Sequence, residues 1–218
     1  MFGKGLKPAW YRVCRFLCRV FCVVCFRIRV HGKENVPASG PFMLVSNHQS
    51  YLDPLFCGVF LKRRLNFMAR DTLFRNRFFR AILSSVYAIP VARGKADLSA
   101  MKIVISRLRE GECVCLYPEG TRTDTGQIAS LKGGFGLIAR RGGSAIVPMV
   151  VDGAFECWPR HKKIFSVGAR IVVCYGEAIS AEHVQNMDER EIAEVVTERL
   201  CGMQNECRTR YGKKPYAY

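Results

Sequence analysis

Short apolar runs alternate along this chain with longer stretches of helical periodicity, and this pattern limits the folds that it can adopt. The apolar runs predict strands at residues 42–46, 65–69, 86–90, 113–117, 145–151 and 170–175. The other stretches predict helices at residues 55–62, 73–83, 96–109, 135–141 and 189–201. Strands without a polar face are typical of a sheet that is covered on both sides. We therefore predict an α/β fold with a central, mostly buried sheet flanked by helices.

The length of 218 residues suits one well-buried domain. We predict an N-terminal interfacial helix in residues 1–27, a main domain in residues 28–207, and a polar C-terminal tail in residues 208–218 that is frayed. Many of the eleven cysteines lie in apolar runs, so we expect them to be reduced, buried and cytosolic. No structural zinc site is predicted, because Cys22 and Cys25 lack a second pair at ligand spacing.

Positive charge is concentrated in the first half of the chain. Residues 1–110 contain 20 Lys and Arg against 5 Asp and Glu, whereas residues 111–218 contain 14 against 13. Such an asymmetry indicates a polyanionic partner, either nucleic acid or an anionic membrane surface. Charge alone leaves both alternatives open.

Residues 10–26 predict an amphipathic helix that anchors the chain in a membrane interface. The segment is too short and carries too many charges to span a membrane. It also does not resemble a signal peptide, because Arg19 interrupts its apolar run. Arg12, Arg15 and Arg19 form a narrow polar stripe at about 100° per residue, and most of the remaining circumference is apolar. A core-packing helix with arginines at its edge has the same pattern. The mixture of Phe and Arg in residues 73–83 likewise fits a headgroup layer or a nucleic acid.

A histidine and an aspartate, His48 and Asp53, follow the predicted strand at 42–46. A neutral imidazole oriented by a carboxylate is a general base that works near neutral pH. Asp53 before Pro54 also fits a helix N-cap, and His48 also fits a polar position in a turn. Both interpretations stay open from these residues, and they are compatible, since one carboxylate oxygen can cap while the other orients the ring.

Two arginines follow predicted strands next to glycines, and both suit phosphate binding. Arg93 precedes Gly94, and Arg122 closes the run Tyr-Pro-Glu-Gly-Thr-Arg that begins at residue 117. A guanidinium fork matches the oxygens of a phosphate group. Each arginine alone is typical of a solvated loop, but two such positions together indicate an anionic ligand.

Taken together, these segments resemble the glycerolipid acyltransferase family, in particular its lysophosphatidic acid acyltransferases. The family's four blocks occur in order over about residues 28–180: Asn-His-x-x-x-x-Asp at 47–53, an arginine block at Arg93, Phe-Pro-Glu-Gly-Thr-Arg-Ser at 117–123, and Val-Pro at 147–148. Tyr117 and Thr123 replace the family's Phe and Ser. Arg70 stands where the family often has Lys, and Lys132 falls in its Phe-Lys-x-Gly element.

The resemblance implies transfer of a fatty acyl group from acyl-CoA or acyl carrier protein to the free hydroxyl of lysophosphatidic acid, giving phosphatidic acid in phospholipid biosynthesis. Glycerol-3-phosphate or another lysolipid is the alternative acceptor. His48 and Asp53 would be the catalytic base and its partner, without an acyl-enzyme. The residues implied to contact the acceptor's phosphate and glycerol are Arg70, Arg93, Glu119, Gly120, Thr121, Arg122 and Lys132. Glu119 is expected to orient the arginines or the glycerol hydroxyls.

The resemblance also implies neither a metal nor a tightly bound cofactor. Its expected partners are the lysophospholipid, the acyl thioester donor with its carrier protein, and an anionic membrane surface. The expected location is monotopic, on the cytoplasmic face of a bacterial inner membrane. A basic nucleic-acid-binding domain is the alternative from another class. An NAD-dependent oxidoreductase has less support, because no predicted strand directly precedes the Gly-rich pattern at residues 134–139.

Overall fold

The computed structural model of the protein describes residues 6–92 and 97–218. Within them, seven strands form a single sheet with helices on both faces, which confirms the predicted α/β class. The strands are β1 (Arg27–His31), β2 (Phe42–Ser46), β3 (Leu65–Arg70), β4 (Ile89–Val91), β5 (Cys113–Leu116), β6 (Ala145–Asp152) and β7 (Arg170–Tyr175). The helices are α1 (Leu6–Cys25), α2 (Asp53–Gly58), α3 (Arg77–Ser85), α4 (Leu98–Arg109), α5 (Gly134–Gly142), α6 (Ala154–Cys157), α7 (Ala181–Asn186) and α8 (Glu189–Arg210).

The sheet has the order β1-β7-β6-β2-β5-β3-β4, and only the β6–β7 pair is antiparallel. Strand β2 lies in the middle, between β6 and β5, and all five of its residues are buried. The carboxyl ends of β2, β3, β5 and β6 therefore meet at one edge, where open α/β sheets bind their ligands.

Apolar side chains from both faces of the sheet build two cores. On one face Phe26, directly after α1, and Phe56 of α2 meet edge to face with ring centroids 5.5 Å apart. On the other face α4, α5 and α8 contribute Val104, Ile138 and Leu200. Burial on both sides explains why the central strands carry no polar alternation.

The sequence did not predict β1 and misplaced β4. Strand β1 is an edge strand in which arginines alternate with apolar residues, and it gains its hydrogen bonds by pairing with β7. The strand predicted at 86–90 begins only at Ile89, because Tyr87 adopts a left-handed φ of 62° beyond the end of α3. The amide of Ala88 then donates to the carbonyl of Leu83, which closes the helix.

The C-terminal tail is ordered against the domain, so the expectation of a frayed tail is wrong. Helix α8 continues to Arg210 instead of ending near residue 201. The Arg208 guanidinium donates to Asp152 Oδ1 at 3.0 Å and to the Lys214 carbonyl at 2.8 Å. The Tyr216 amide donates to Asn205 Oδ1 at 2.8 Å. Asp152 lies 56 residues before Arg208, so composition could not show the contact that docks the tail on β6.

Two cysteines, Cys174 of β7 and Cys207 of α8, face each other with Cα atoms 7.6 Å apart, beyond the range of a relaxed disulfide. The expectation that the cysteines are reduced stays a prediction. The other nine are free, and five of them are buried: Cys22, Cys57, Cys113, Cys115 and Cys157.

Helix α1 packs on the domain through one side and exposes apolar side chains on the other. Cys22 is fully buried, and Arg15 donates to the carbonyls of Leu61 and Lys62 at 2.8 Å each. The exposed apolar residues are Val13, Phe16, Leu17, Val20, Val23 and Val24. None of the described helices is both long and apolar enough to cross a bilayer. Membrane anchoring by α1 stays a prediction.

Candidate active site

The candidate site begins at the carboxyl end of β2, where Asn47 fixes the following turn to β6. Its side-chain amide donates to the Val151 carbonyl at 3.0 Å, and its Oδ1 accepts from the Val151 amide at 2.8 Å. This reciprocal pair replaces the strand hydrogen bonds just where the chain turns away. The residue after Asn47, His48, is thereby held at a fixed position on the sheet edge.

The predicted pairing of His48 with Asp53 is present. His48 Nδ1 lies 2.7 Å from Asp53 Oδ2, and the Asp53 side chain is fully buried. The amides of Gln49 and Ser50 also donate to Oδ2, at 2.7 and 2.8 Å. The carboxylate therefore orients the ring so that Nδ1 faces inward and Nε2 is the nitrogen left for a substrate.

Asp53 is not a helix N-cap, which corrects one of the two roles predicted for it. Helix α2 begins at Asp53 itself, with Leu52 before it, and no side chain caps its first amides. Because Oδ2 accepts amides upstream of the helix, the carboxylate closes the turn that carries His48. Asp53 Oδ1 is buried and has no hydrogen-bond partner within the described residues.

An aromatic ring packs against one face of the His48 imidazole. The rings of His48 and Tyr117 stack with centroids 4.3 Å apart and an interplanar angle of 20°. The Tyr117 hydroxyl lies 3.4 Å from the sulfur of buried Cys57. Burial raises the pKa of the Tyr117 phenol well above its ordinary value, so the ring is neutral. His48 is therefore held both at Nδ1 and across its face.

Glu119 joins the two loops that form the site. Its Oε1 accepts the His48 amide at 2.6 Å, and its Oε2 accepts the Ala129 amide at 3.0 Å. Burial raises the pKa of this carboxyl above its ordinary value, and the two amides partly oppose that shift. No arginine in the described parts of the chain pairs with it. Glu119 therefore fixes the backbone of His48, and its expected role in orienting the arginines or the glycerol hydroxyls stays a prediction.

A cleft of about 330 Å³ opens at this edge, and two cations stand at it. His48, Arg70 and Lys132 line the cleft together with Gly120. Gly120 has a φ of 73°, and a Cβ there would come within 2.8 Å of Lys132 Nζ. Glycine therefore lets the ammonium group approach the turn after β5. A base with two cations at one cleft suits a substrate that carries both a hydroxyl and a phosphate.

The structure does not bring every predicted residue into the lining of this cleft. The Arg122 guanidinium lies over the Tyr51 ring, 3.4 Å from its centroid, and its buried Nη1 has no hydrogen-bond partner within the described residues. Thr121 is exposed and does not line the cleft. Arg93 lies outside the described residues.

Sequence reasoning missed the positions that hold the site together. Tyr51 lies between His48 and Asp53 in the motif, yet only its stacking under Arg122 gives it a role. The motif comparison marks Thr123 only as a replacement for Ser, whereas its amide donates to the His48 carbonyl at 2.8 Å. Backbone donors leave no compositional signal. The aromatic residue within the His48–Asp53 motif is the one available clue.

Comparisons with known proteins find relatives in sequence and in fold. A family model described as Acyltransferase matches residues 27–152. The 1-acyl-sn-glycerol-3-phosphate acyltransferase of Bacillus subtilis is 29% identical over 191 residues, covering 87% of this chain and 92% of that protein. The protein of the same name from Pseudomonas aeruginosa is 29% identical, over 85% and 70% of the two chains.

One solved structure shares the fold over nearly the whole chain. It is the 1-acyl-sn-glycerophosphate (LPA) acyltransferase of Thermotoga maritima, with a TM-score of 0.81 at 21% identity. The match covers 95% of this chain and 83% of that one. At this identity the match establishes the architecture.

Proposed function

This chain belongs to the acyltransferase family, and on that premise we propose that it is a 1-acylglycerol-3-phosphate O-acyltransferase. It transfers a fatty acyl group from an acyl thioester, acyl-CoA or acyl carrier protein, to the free hydroxyl of lysophosphatidic acid, and the product is phosphatidic acid. The observation that carries the proposal is the His48–Asp53 pair, 2.7 Å apart, at a cleft shared with Arg70 and Lys132. The names of the Bacillus and Pseudomonas relatives support this acceptor.

In the proposed mechanism His48 is the general base. Nε2 takes the proton of the acceptor hydroxyl while Nδ1–H stays on Asp53 Oδ2. The buried carboxylate stabilises the imidazolium that forms, and the Tyr117 ring supports it across its face. Proton removal makes the oxygen nucleophilic as it approaches the thioester.

The acceptor oxygen then attacks the thioester carbonyl directly. A carbon–oxygen bond forms, the carbon–sulfur bond breaks, and the thiolate leaves with the proton that His48 returns. The acyl group passes straight to the acceptor, so no residue carries it. Proton transfer and cationic binding supply the chemistry, and the proposal therefore includes neither a metal nor a tightly bound cofactor.

Arg70 and Lys132 bind the acceptor's phosphate in this proposal. Both are exposed at the cleft and free to turn toward an anion. Arg122 is a third candidate, because its unpartnered Nη1 needs an acceptor and its stacking on Tyr51 keeps the guanidinium plane fixed. Arg93 and Thr121 stay predicted contacts of the acceptor.

The same proposal places the enzyme on a membrane, where its lipid substrates are. The exposed apolar side of α1 and the exposed Phe78 and Phe79 of α3 suit a monotopic position in the interface. Helices α1 and α3 are in contact, and Trp10 donates to Ser85 at 2.9 Å, so they form one surface. The orientation proposed is toward the cytoplasmic leaflet, whose anionic lipids attract the basic first half of the chain.

The direct test is acyl transfer by the purified protein in vesicles with labelled lysophosphatidic acid. Acyl-CoA and acyl carrier protein thioesters of several chain lengths serve as donors. Labelled phosphatidic acid is expected, and it should depend on His48. Equal or faster acylation of glycerol-3-phosphate or another lysolipid would contradict the acceptor assignment. Salt-dependent binding of nucleic acid without acyl transfer would contradict the whole proposal.

A further inference from the structure

A basic loop, residues 158–167, lies between α6 and β7 and plays no part in the chemistry proposed above. Its sequence is Trp-Pro-Arg-His-Lys-Lys-Ile-Phe-Ser-Val. The four residues 160–163 are all exposed. Directly after them Ile164 is 78% exposed, and Val167 is 69% exposed. Exposed apolar side chains next to cations are typical of a surface that binds a membrane or another molecule.

The aromatic residues of the basic loop fix it to helix α1. Phe165 packs against Phe21 and Phe26, with ring centroids 5.8 Å apart in each case, and against Trp158 at 5.6 Å. The Gly168 amide donates to the Cys25 carbonyl at 2.7 Å. This bond ties the end of the loop to the carboxyl end of α1, whose exposed residues Val23 and Val24 lie one turn or less away along the helix. Val167, next to Gly168 in the chain, is thereby placed near the carboxyl end of α1, where Val23 and Val24 are exposed.

The basic loop also adjoins the active-site turn. It follows the carboxyl end of β6, which is parallel to β2, so it lies on the same edge of the sheet as His48. The centroids of the Trp158 and Tyr51 rings are 5.0 Å apart, and the Arg122 guanidinium stacks on the Tyr51 ring. A surface that binds the loop would therefore also face the site.

Most of the charge on the basic loop is not neutralised by the protein. Within the described residues, the ion pairs of this loop amount to Arg160 with Asp124 at 4.0 Å, both exposed, and none involves Lys162 or Lys163. Exposed lysines of this kind are drawn to anionic headgroups, while neighbouring apolar residues enter the acyl boundary.

We propose that the basic loop is a second membrane contact, in which Arg160, Lys162 and Lys163 bind anionic lipid headgroups and Ile164 and Val167 enter the interface. Together with α1 it holds the active-site edge against the bilayer. The proposal rests on the membrane location in the proposed function and extends it to a defined surface. A bilayer is favoured over an acidic protein because the loop combines exposed cations with exposed Ile164 and Val167, and because it packs on α1, whose other side exposes further apolar residues.

The test is vesicle binding by the full chain and a charge-neutral variant, Arg160→Gln/Lys162→Gln/Lys163→Gln. The vesicles contain phosphatidylcholine alone, or phosphatidylcholine and phosphatidylglycerol at about 3:1, and we expect at least about tenfold weaker binding of the variant to the anionic vesicles. The matched control, Lys102→Gln/Arg141→Gln/Arg199→Gln, removes the same charge from exposed positions on α4, α5 and α8 and should bind like wild type. A third variant, Ile164→Ser/Val167→Ser, should bind both kinds of vesicle more weakly.

Three outcomes would overturn the proposal. The first is unchanged binding of the charge-neutral variant to anionic vesicles, and the second is an equal loss in the matched control, which would mean that only net charge matters. The third is unchanged vesicle binding with impaired use of acyl carrier protein as donor, which would make the loop a docking surface for an acidic protein. Acylation of a short-chain, water-soluble lysophosphatidic acid separates this proposal from the function. If the wild-type protein does not acylate that substrate but binds vesicles as expected, the proposed acyltransferase function is wrong and the proposed membrane contact is still supported.

Discussion

The two halves of the candidate site are built in opposite ways. The half around His48 is held rigidly: Asp53 Oδ2 accepts three donors, and both oxygens of Glu119 accept backbone amides. The half that carries the cations is open, since Arg70 and Lys132 are exposed. In the proposed mechanism the base is thus organised before any substrate binds, whereas the two cations would take their final positions on the substrate's anion.

The strongest test of the fixed half is His48→Ala. General-base catalysis contributes about 10²- to 10⁴-fold, so we expect the rate of acyl transfer to fall by about that factor. The measurement is kcat with labelled lysophosphatidic acid, alongside circular dichroism to verify the fold. His183→Ala removes an exposed histidine from α7 and should leave activity unchanged. Substantial turnover by a folded His48→Ala protein would refute the mechanism.

Asp53→Asn asks whether the carboxylate acts through its charge. The amide keeps an oxygen for the Gln49 and Ser50 amides but loses the charge that stabilises the imidazolium, so we expect kcat to drop about 10²-fold. Because Asp53 caps no helix, the variant should lose little stability on that account. Asp188→Asn at the N-cap of α8 controls for loss of a carboxylate. Full activity of Asp53→Asn would leave Asp53 with a structural role only.

The open half is tested by Arg70→Ala and Lys132→Ala. A hydrogen bond to a charged group contributes about 1.5–3 kcal/mol, so each change should raise KM for the phosphorylated acceptor about 10- to 100-fold. KM for the acyl thioester should change much less. Arg70→Lys keeps the charge and should keep most of the affinity, and Arg199→Ala on α8 is the neutral control. Equal losses for donor and acceptor would argue against phosphate binding here.

Glu119→Gln tests the link between the two loops. The side-chain NH₂ group of the glutamine must face the backbone N–H of either His48 or Ala129. A buried donor without an acceptor lowers the free energy of unfolding by about 1–3 kcal/mol. Urea unfolding should show a loss of that size. Glu194→Gln, at an exposed pair on α8, should change stability by less than about 0.5 kcal/mol. A fully stable Glu119→Gln protein would show that the link is dispensable.

The smallest expected effect is a pH dependence of stability through Glu119. Burial raises the pKa of this carboxyl above its ordinary value of 4.5, so its protonated form is favoured in the folded state. The resulting stabilisation is present below about pH 4.5 and is lost as pH rises through the raised pKa. The unfolding free energy of wild type minus that of Glu119→Gln should therefore decrease between about pH 4 and pH 7. A difference that increases over this range would contradict the sign.

The sequence predicted those elements whose signal is local. Strand β2 has its predicted bounds, because an apolar run between turn residues needs no distant partner to be recognised. Edge strand β1 and the docked tail escaped prediction, because β1 is stabilised by β7 and Arg208 by Asp152, both far away in the chain. The pairing of His48 with Asp53 could be predicted from the sequence, because it closes a short turn. The binding of Glu119 to two backbone amides could not be predicted, because backbone donors exist at every position.

Periodicity and short motifs are properties of neighbouring residues, so the chain's local patterns predict the α/β class, the family and the pairing of His48 with Asp53. Long-range contacts specify the rest: that Arg70 and Lys132 stand at one cleft, that Arg122 lies on Tyr51, and that the basic loop packs on α1. These contacts join residues about 60 to 145 positions apart. Their geometry depends on the order of strands in the sheet, which no local pattern specifies.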